Sequence, residues 1–270
     1  MRGSSRGAVT ASLRAYQDAL QSGADWHTLA EDLFAVTAVA DGNATLRRAL
    51  ADPSREAAAK RDLVSRLFGG KVSPAVVGLL SQVVAQRWAA ERDLTDTIER
   101  FAVETVLASA EAGNRADQVE DELFRFERIV AGNPGLRDAL TGRGGTPQDK
   151  ADLVDRLLQG KASAETVRLA RQAVLAPRGR RIDRTLEHYL SLAARRREQL
   201  TAVVTTAVDL DEVQRQRLGL ALQRIYGRPV LLQVVVDPAV VGGIRVQIGD
   251  EVVDGTVIRK LEGARRHLAG

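Results

Sequence analysis

The feature that most constrains this 270-residue chain is an internal repeat at an offset of 90 residues. Gly42-Asn43-x-x-Leu46-Arg47-x-Ala49-Leu50 returns as Gly132-Asn133-x-x-Leu136-Arg137-x-Ala139-Leu140. Lys60-x-Asp62-Leu63-Val64-x-Arg66-Leu67 returns as Lys150-x-Asp152-Leu153-Val154-x-Arg156-Leu157, and Gly70-Lys71-x-Ser73 as Gly160-Lys161-x-Ser163. Upstream, Glu31-Asp32-Leu33-Phe34 answers to Asp121-Glu122-Leu123-Phe124. Between 42–73 and 132–163, 15 of 32 positions are identical without a gap, so one module has been duplicated.

Each copy reads as helices. Trp26, Leu29, Ala30, Leu33 and Val36 or Val39 fall at a 3-and-4 spacing that puts one apolar stripe on a helix. Leu63, Val64, Leu67 and Phe68 repeat the pattern before Gly69-Gly70 ends that helix. Ser73-Pro74 opens the next, with the Ser side chain expected to cap free N–H groups and Pro suited to the first turn. A further helix runs from about Asp93 with Leu94, Ile98, Phe101 and Val106 inward, until Gly113-Asn114 stops it. It is expected to connect two bundles in series. The last helix of the second copy, from Ile182 to about Leu200, carries Arg195-Arg196-Arg197 near its C-terminus, where positive charge suits the helix dipole.

Composition narrows the chemistry. Aromatics are 4% of the chain and there is one Met, so the cores must be built from Ala, Leu and Val. There is no Cys, which excludes disulfides, thiol nucleophiles and Cys-based metal sites. Three scattered histidines, His27, His188 and His267, offer no pair at ligand spacing, so no metal is expected. The longest apolar runs are a few residues, far short of the roughly 20 that span a bilayer. The opening Met1–Ala8 is basic without an apolar signal core, which disfavours secretion. The formal charge of +4 is uneven: residues 1–114 carry 13 basic and 14 acidic side chains, but Thr166–Leu200 carries nine arginines against three acids. Such a patch suits nucleic acid, anionic lipid, an acidic protein surface or plain solvent.

From Thr201 the period becomes strand-like. Residues 201–208 are β-branched and bounded by Asp209, and Asp209-x-x-Glu212 has the form of a capping box opening a helix. Tyr226-Gly227 with Pro229 closes that helix, and Val230–Val236 reads as a buried strand ending at an Asp237-Pro238 turn. Ile244, Val246 and Ile248 alternate with Arg245 and Gln247, as in a strand with one buried face. Gly249-Asp250 reads as a tight turn before Val252-Val253, and a final helix follows with Val257, Ile258, Leu261, Ala264 and Leu268 on one side. The expected architecture is mainly α with a small α/β C-terminal unit: helical copies at 1–114 and 115–200, then an α/β domain at 201–270.

The series Asp237-Pro238, Gly242-Gly243-Ile244, Ile248-Gly249-Asp250 and Asp254-Gly255-Thr256 follows a Thr-Ala-x-Val-x-Thr-Ala strand at 201–207. In order and spacing it resembles the C-terminal signature of the delta subunits of rotary ATP synthases, whose mitochondrial relative is the oligomycin-sensitivity-conferral protein. Ala15-Tyr16-x-x-Ala19-Leu20 is similar to that family's first helix. Taken as backbone devices, Gly242-Gly243 permit a bulge or close approach, Gly249 and Gly255 suit positive-φ turns, and Asp250 and Asp254 can bond nearby turn N–H groups. The extra length over a usual member equals the repeat period, as in extended actinobacterial forms.

The resemblance implies a non-catalytic stator subunit that joins the catalytic head to the peripheral stalk, with no cofactor. The implied partners are the N-terminal helices of the alpha subunits and the b-type stalk subunits. The implied location is the cytoplasmic face of a bacterial membrane, reached only through the complex. The first copy keeps the family-like opening helix, so Leu13, Tyr16 and Leu20 with Leu79 and Val83 are expected to line or support the head-binding groove. The basic second copy is expected to face the stalk through Arg178, Arg180, Arg181, Arg195, Arg196 and Arg197.

The usual enzyme signatures fail. Gly70-Lys71 and Gly160-Lys161 are followed by Val72 and Ala162, and positions 65 and 155 are Ser and Asp, so neither is a phosphate-binding Walker loop. Gly142-x-Gly144-Gly145 lies between helices rather than after a strand, so it is no dinucleotide fingerprint. No catalytic residue is expected. The alternative is a helical nucleic-acid binder using the Thr166–Leu200 arginines. Against it, Tyr189 is the segment's lone aromatic, so stacking is absent and no nucleic-acid partner is expected.

Overall fold

The computed structural model describes residues 3–142, 144–198, 200–226, 230–240, 242–248 and 251–254. It is mainly α with a small mixed sheet toward the C-terminus, as the sequence pattern requires. Two compact units result, Met1–Ala194 and Arg195–Gly270.

In the helical unit, α1 (Gly3–Gln21) is followed by two series of helices in identical register. The first series is α2 (Trp26–Gly42), α3 (Ala44–Ala51), α4 (Ala57–Phe68) and α5 (Pro74–Ala85), leading into α6 (Glu91–Ala112). The second is α7 (Ala116–Gly132), α8 (Pro134–Thr141), α9 (Pro147–Leu158) and α10 (Ala164–Leu175), leading into α11 (Ile182–Glu198). From α2/α7 to α5/α10, each pair has the same length and starts 90 residues apart. The joints repeat with the helices. Asn43 and Asn133 each accept the N–H three residues on, from Leu46 at 2.9 Å and Leu136 at 3.0 Å. Gly70 and Gly160 both take a left-handed turn, at φ 69° and 67°, which a side chain would strain.

One joint departs from the sequence reading. The Ser73 side chain does not cap α5; its backbone N–H is instead satisfied by Asp32 Oδ2 on α2, at 2.7 Å. The second copy uses the same long-range carboxylate, Glu122 Oε2 to Ser163 N at 2.9 Å, and there Ser163 Oγ also accepts from Thr166 N.

Helix α6 belongs to both copies. A shift of 90 residues carries α1 onto positions 93–111, all within α6, so α6 closes the first copy and opens the second. The contacts follow suit, since α1 packs on α5 and α6 packs on α10. Helix α6 is therefore buried on more than one face, with Leu94, Ile98, Phe101, Val103, Val106 and Ala110 inside. A single apolar core runs through both copies.

The second unit contains β1 (Leu200–Thr206), α12 (Glu212–Tyr226), β2 (Val230–Val236), β3 (Ile244–Ile248) and β4 (Glu251–Asp254). The sheet order is β2-β1-β3-β4. The β1–β2 pair is parallel with Val203 opposite Gln233, bridged by α12 as a parallel pair requires, and the other pairs are antiparallel. Ala202, Val204, Leu222, Val246 and Ile248 form the core.

Two expectations are corrected here. The capping box is Asp211 with Gln214, each side chain bonding the other's N–H, at 2.7 and 3.0 Å, rather than Asp209 with Glu212. Strand β2 lies at the sheet edge and is only half-buried, with Val235 and Val236 exposed, because its continuous apolar run does not require cover on both faces. The turn residues 227–229 and the expected final helix over 257–268 lie outside the described residues.

Candidate docking surfaces and the arginine cluster

The groove residues lie where two helices meet. Tyr16 on α1 is buried, stacks on Phe101 of α6 with centroids 4.5 Å apart, and its hydroxyl is 3.3 Å from Thr105 Oγ1. Leu79 and Val83 are buried on α5, a helix against which α1 packs. Leu13 and Leu20 on α1 are partly exposed and pack against the same core. The second copy differs at the corresponding positions. Val103 and Ala110 on α6, the counterparts of Leu13 and Leu20, have no exposed surface, in keeping with the packing of α6 against both copies.

The arginine patch is revised by the structure. Arg178 is not on the surface: its side chain is 3% exposed and pairs with Asp41 on α2, and with Asp96 and Glu99 on α6. Its guanidinium also donates to Thr95 Oγ1 at 2.8 Å. Glu99, fully buried, takes Arg180 and the Tyr189 hydroxyl as well. Burial alone would lower the Arg178 pKa, but the Asp41 hydrogen bond and the charges of Glu99, Asp96 and Asp41 outweigh it and hold the guanidinium charged. Arg168 of α10 crosses to Glu31 on α2 and lies 4.3 Å over the Phe34 ring. Arg171 pairs with Asp155, Arg181 with Asp183 and Arg184 with Glu187. The basic excess therefore answers acids of this same chain, several of them in the first copy. Of the proposed patch, Arg181, Arg195 and Arg197 are exposed and Arg196 is partly so.

Asp41, Glu31 and Glu99 are the residues that sequence reasoning missed. The signal for Glu99 is an acid on a helix buried all round, legible only once α6 is known to serve both copies.

In the C-terminal signature, Asp237 accepts the Ala239 N–H at 2.9 Å and donates its own to Thr206 O, so Asp237-Pro238 forms the turn as expected. Gly242 and Gly243 take left-handed conformations, φ 63° and 82°, immediately before β3. Asp254 ends β4, while Gly249, Asp250 and Gly255 lie outside the described residues. The exposed apolar side chains of this unit include Val213 and Leu220, which share a face of α12 seven residues apart, and Val252 and Val253 on β4.

Two carboxylates knit the second copy at its joints. For Glu122, burial raises the pKa, but hydrogen bonds from the Thr166 hydroxyl and the Ser163 N–H outweigh it and leave it below the ordinary 4.5. Glu165 is lowered likewise, its burial outweighed by Arg115, whose Nη2 is 2.5 Å away. A carboxylate depressed in the folded state holds fewer protons there than in the unfolded chain. Its stabilisation is therefore complete above pH 4.5 and is lost as pH falls through the folded pKa. In urea melts, Glu122→Gln is expected to cost about 1.5 kcal/mol at neutral pH, and the difference from wild type to shrink steadily below the ordinary carboxylate value. A constant difference across that range would remove Glu122 from this role.

No described helix is long and apolar enough to cross a membrane, and no described cluster of His, Asp and Glu could hold a metal.

A family model described as "ATP synthase delta (OSCP) subunit" matches residues 14–105 and again 103–268. The first match begins in α1 and the second in α6, in keeping with α6 as the opening helix of the second copy. A protein of Kineococcus radiotolerans named ATP synthase subunit delta is 48% identical over 269 residues, 98% of this chain and 98% of its own length. One of Streptomyces avermitilis, with the same name, is 47% identical over 99% of this chain and 98% of its own. Another of Thermobifida fusca is 45% identical over the full length of both. The duplicated form is thus shared with these actinobacterial proteins. Among solved structures, a chain of the Toxoplasma gondii mitochondrial ATP synthase hexamer aligns over 62% of this chain and 95% of its own, at 14% identity and a TM-score of 0.29, too loose a likeness to bear on the fold.

Proposed function

Because the chain belongs to the ATP synthase delta (OSCP) family, as a non-catalytic stator subunit of the synthase, we propose that it joins the catalytic head to the peripheral stalk through two separate apolar faces. The first copy holds N-terminal helices of the alpha subunits, and the C-terminal unit holds the b-type stalk subunits. A rotary motor delivers torque to its head, so the head must be held from outside by a part that performs no chemistry of its own.

The observation that carries this reading is the asymmetry of the two copies. Leu13 and Leu20 on α1 keep partly exposed apolar surface, whereas their counterparts Val103 and Ala110 on α6 are wholly covered. Short amphipathic helices dock on such surface through apolar anchors at 3-and-4 spacing. The α12 face with Val213 and Leu220 supplies the second contact, and Arg195 and Arg197 supply exposed positive charge. Steering by such charge speeds encounter more than it tightens the complex. The subunit reaches the cytoplasmic face of the membrane through the complex alone. An electron-microscopy map of the assembled synthase tests the arrangement. The α1/α5 seam should meet alpha and the C-terminal unit should meet b; the reverse assignment would overturn it.

A further inference from the structure

The two copies keep the same pair of cations at one place but surround them differently. In the first copy Arg47 faces Glu91 at 3.4 Å, and the buried Lys60 donates to Gln86 O at 3.2 Å. The connection from α5 to α6 carries Trp88, buried in the core with its indole N–H on Val83 O at 2.9 Å. Arg137 and Lys150 stand at the corresponding positions of the second copy. The connection there, 176–181, is one residue longer, has no aromatic side chain and supplies Arg180 and Arg181. Its Arg178 is turned toward Asp41 and Glu99.

A cavity of about 540 Å³ lies at this place, lined by Arg137, Lys150, Arg180 and Arg181, with Asp183 as its one lining acid. That acid is already held by Arg181 at 3.0 Å. Arg137 and Lys150 donate to the neutral carbonyls of Ala131 and Gly142, and among the described residues neither has a carboxylate partner. Arg180 pairs with Glu99 through Nη2, yet its Nε is buried with no hydrogen-bond partner. A buried donor left unpaired costs free energy until a ligand supplies an acceptor.

We propose that this cavity binds a phosphoryl group, presented by inorganic phosphate or by a nucleoside diphosphate. Four cations line the cavity and two of them, Arg137 and Lys150, have no carboxylate partner among the described residues; that excess matches a dianion, whose oxygens the planar guanidinium fork suits. The volume is that of a small-molecule site. Leu140, Val174 and Ile182 add apolar wall beside the cations. The first copy has no such excess, because Glu91 answers Arg47 there.

Calorimetric titration of the full chain at low ionic strength tests this with inorganic phosphate, ADP without magnesium, acetate, and a short poly-glutamate peptide. Phosphate and ADP are expected to bind at one site, and acetate not to compete. Arg137→Gln and Arg181→Gln should each weaken binding about tenfold or more, while Arg47→Gln in the first copy changes nothing. Arg181 is 70% exposed, so its variant keeps the fold even if Arg137→Gln does not. ADP binding well above phosphate identifies the nucleotide as source, and equal affinities identify free phosphate. Absence of binding by both, unchanged affinity in Arg181→Gln, or tighter binding of the peptide than of either would overturn the proposal.

Discussion

Replacing Arg178 with Met is expected to lower the stability of the helical unit by roughly 3 kcal/mol, a fall in melting temperature of about 6–12 °C for a unit of this size. The expectation rests on what is left behind. Glu99 is fully buried and Asp41 partly so, and both lose a guanidinium that neutralises them. Arg180 still reaches Glu99 and Arg92 lies 3.8 Å from Asp41, which keeps the loss from being larger. Removing the charges together should restore much of the loss, because a buried ion pair is costly mainly when it is broken on one side. Arg178→Met with Glu99→Gln and Asp41→Asn is therefore expected to melt above the single variant. A single variant as stable as wild type would show that this cluster does not join the copies.

The second large effect concerns binding. Leu20→Asp, alone or with Leu13→Asp, is expected to weaken capture of an alpha-subunit N-terminal peptide by roughly thirtyfold or more, the factor given by an interface anchor of about 2 kcal/mol. A charge on the partly exposed side of α1 leaves the core beneath it, Tyr16 on Phe101, in place. Ile129→Asp, on an exposed apolar residue of α7, serves as the control and should leave capture unchanged. If Ile129→Asp abolished capture and Leu20→Asp did not, the second copy would be the head-binding one. The two variants divide the outcomes cleanly.

Much of this was legible from residue order. The 90-residue repeat placed four pairs of helices in register, because caps such as Asn43 and Asn133 and left-handed glycines such as Gly70 and Gly160 act locally. The period-2 alternation of Ile244, Val246 and Ile248 likewise placed β3. What escaped was non-local. Whether Arg178 faces solvent or Asp41 depends on a contact between residues 137 apart, which no spacing reveals. That α6, expected as the connecting helix, also stands where α1 stands in the first copy escaped for the same reason, since one inward face is all that a single copy's pattern displays. Asp211 won the α12 cap over Asp209 because Gln214, not Glu212, stands where a reciprocal bond closes.

The most direct test of the connector is energy coupling in membrane vesicles stripped of this chain and then reconstituted. The released head should continue to hydrolyse ATP, while ATP-driven proton pumping across the vesicle membrane is lost. Adding back the full chain should restore pumping, and adding back the Leu13→Asp/Leu20→Asp variant should not. Proton pumping that stays intact in vesicles lacking the chain would contradict the account.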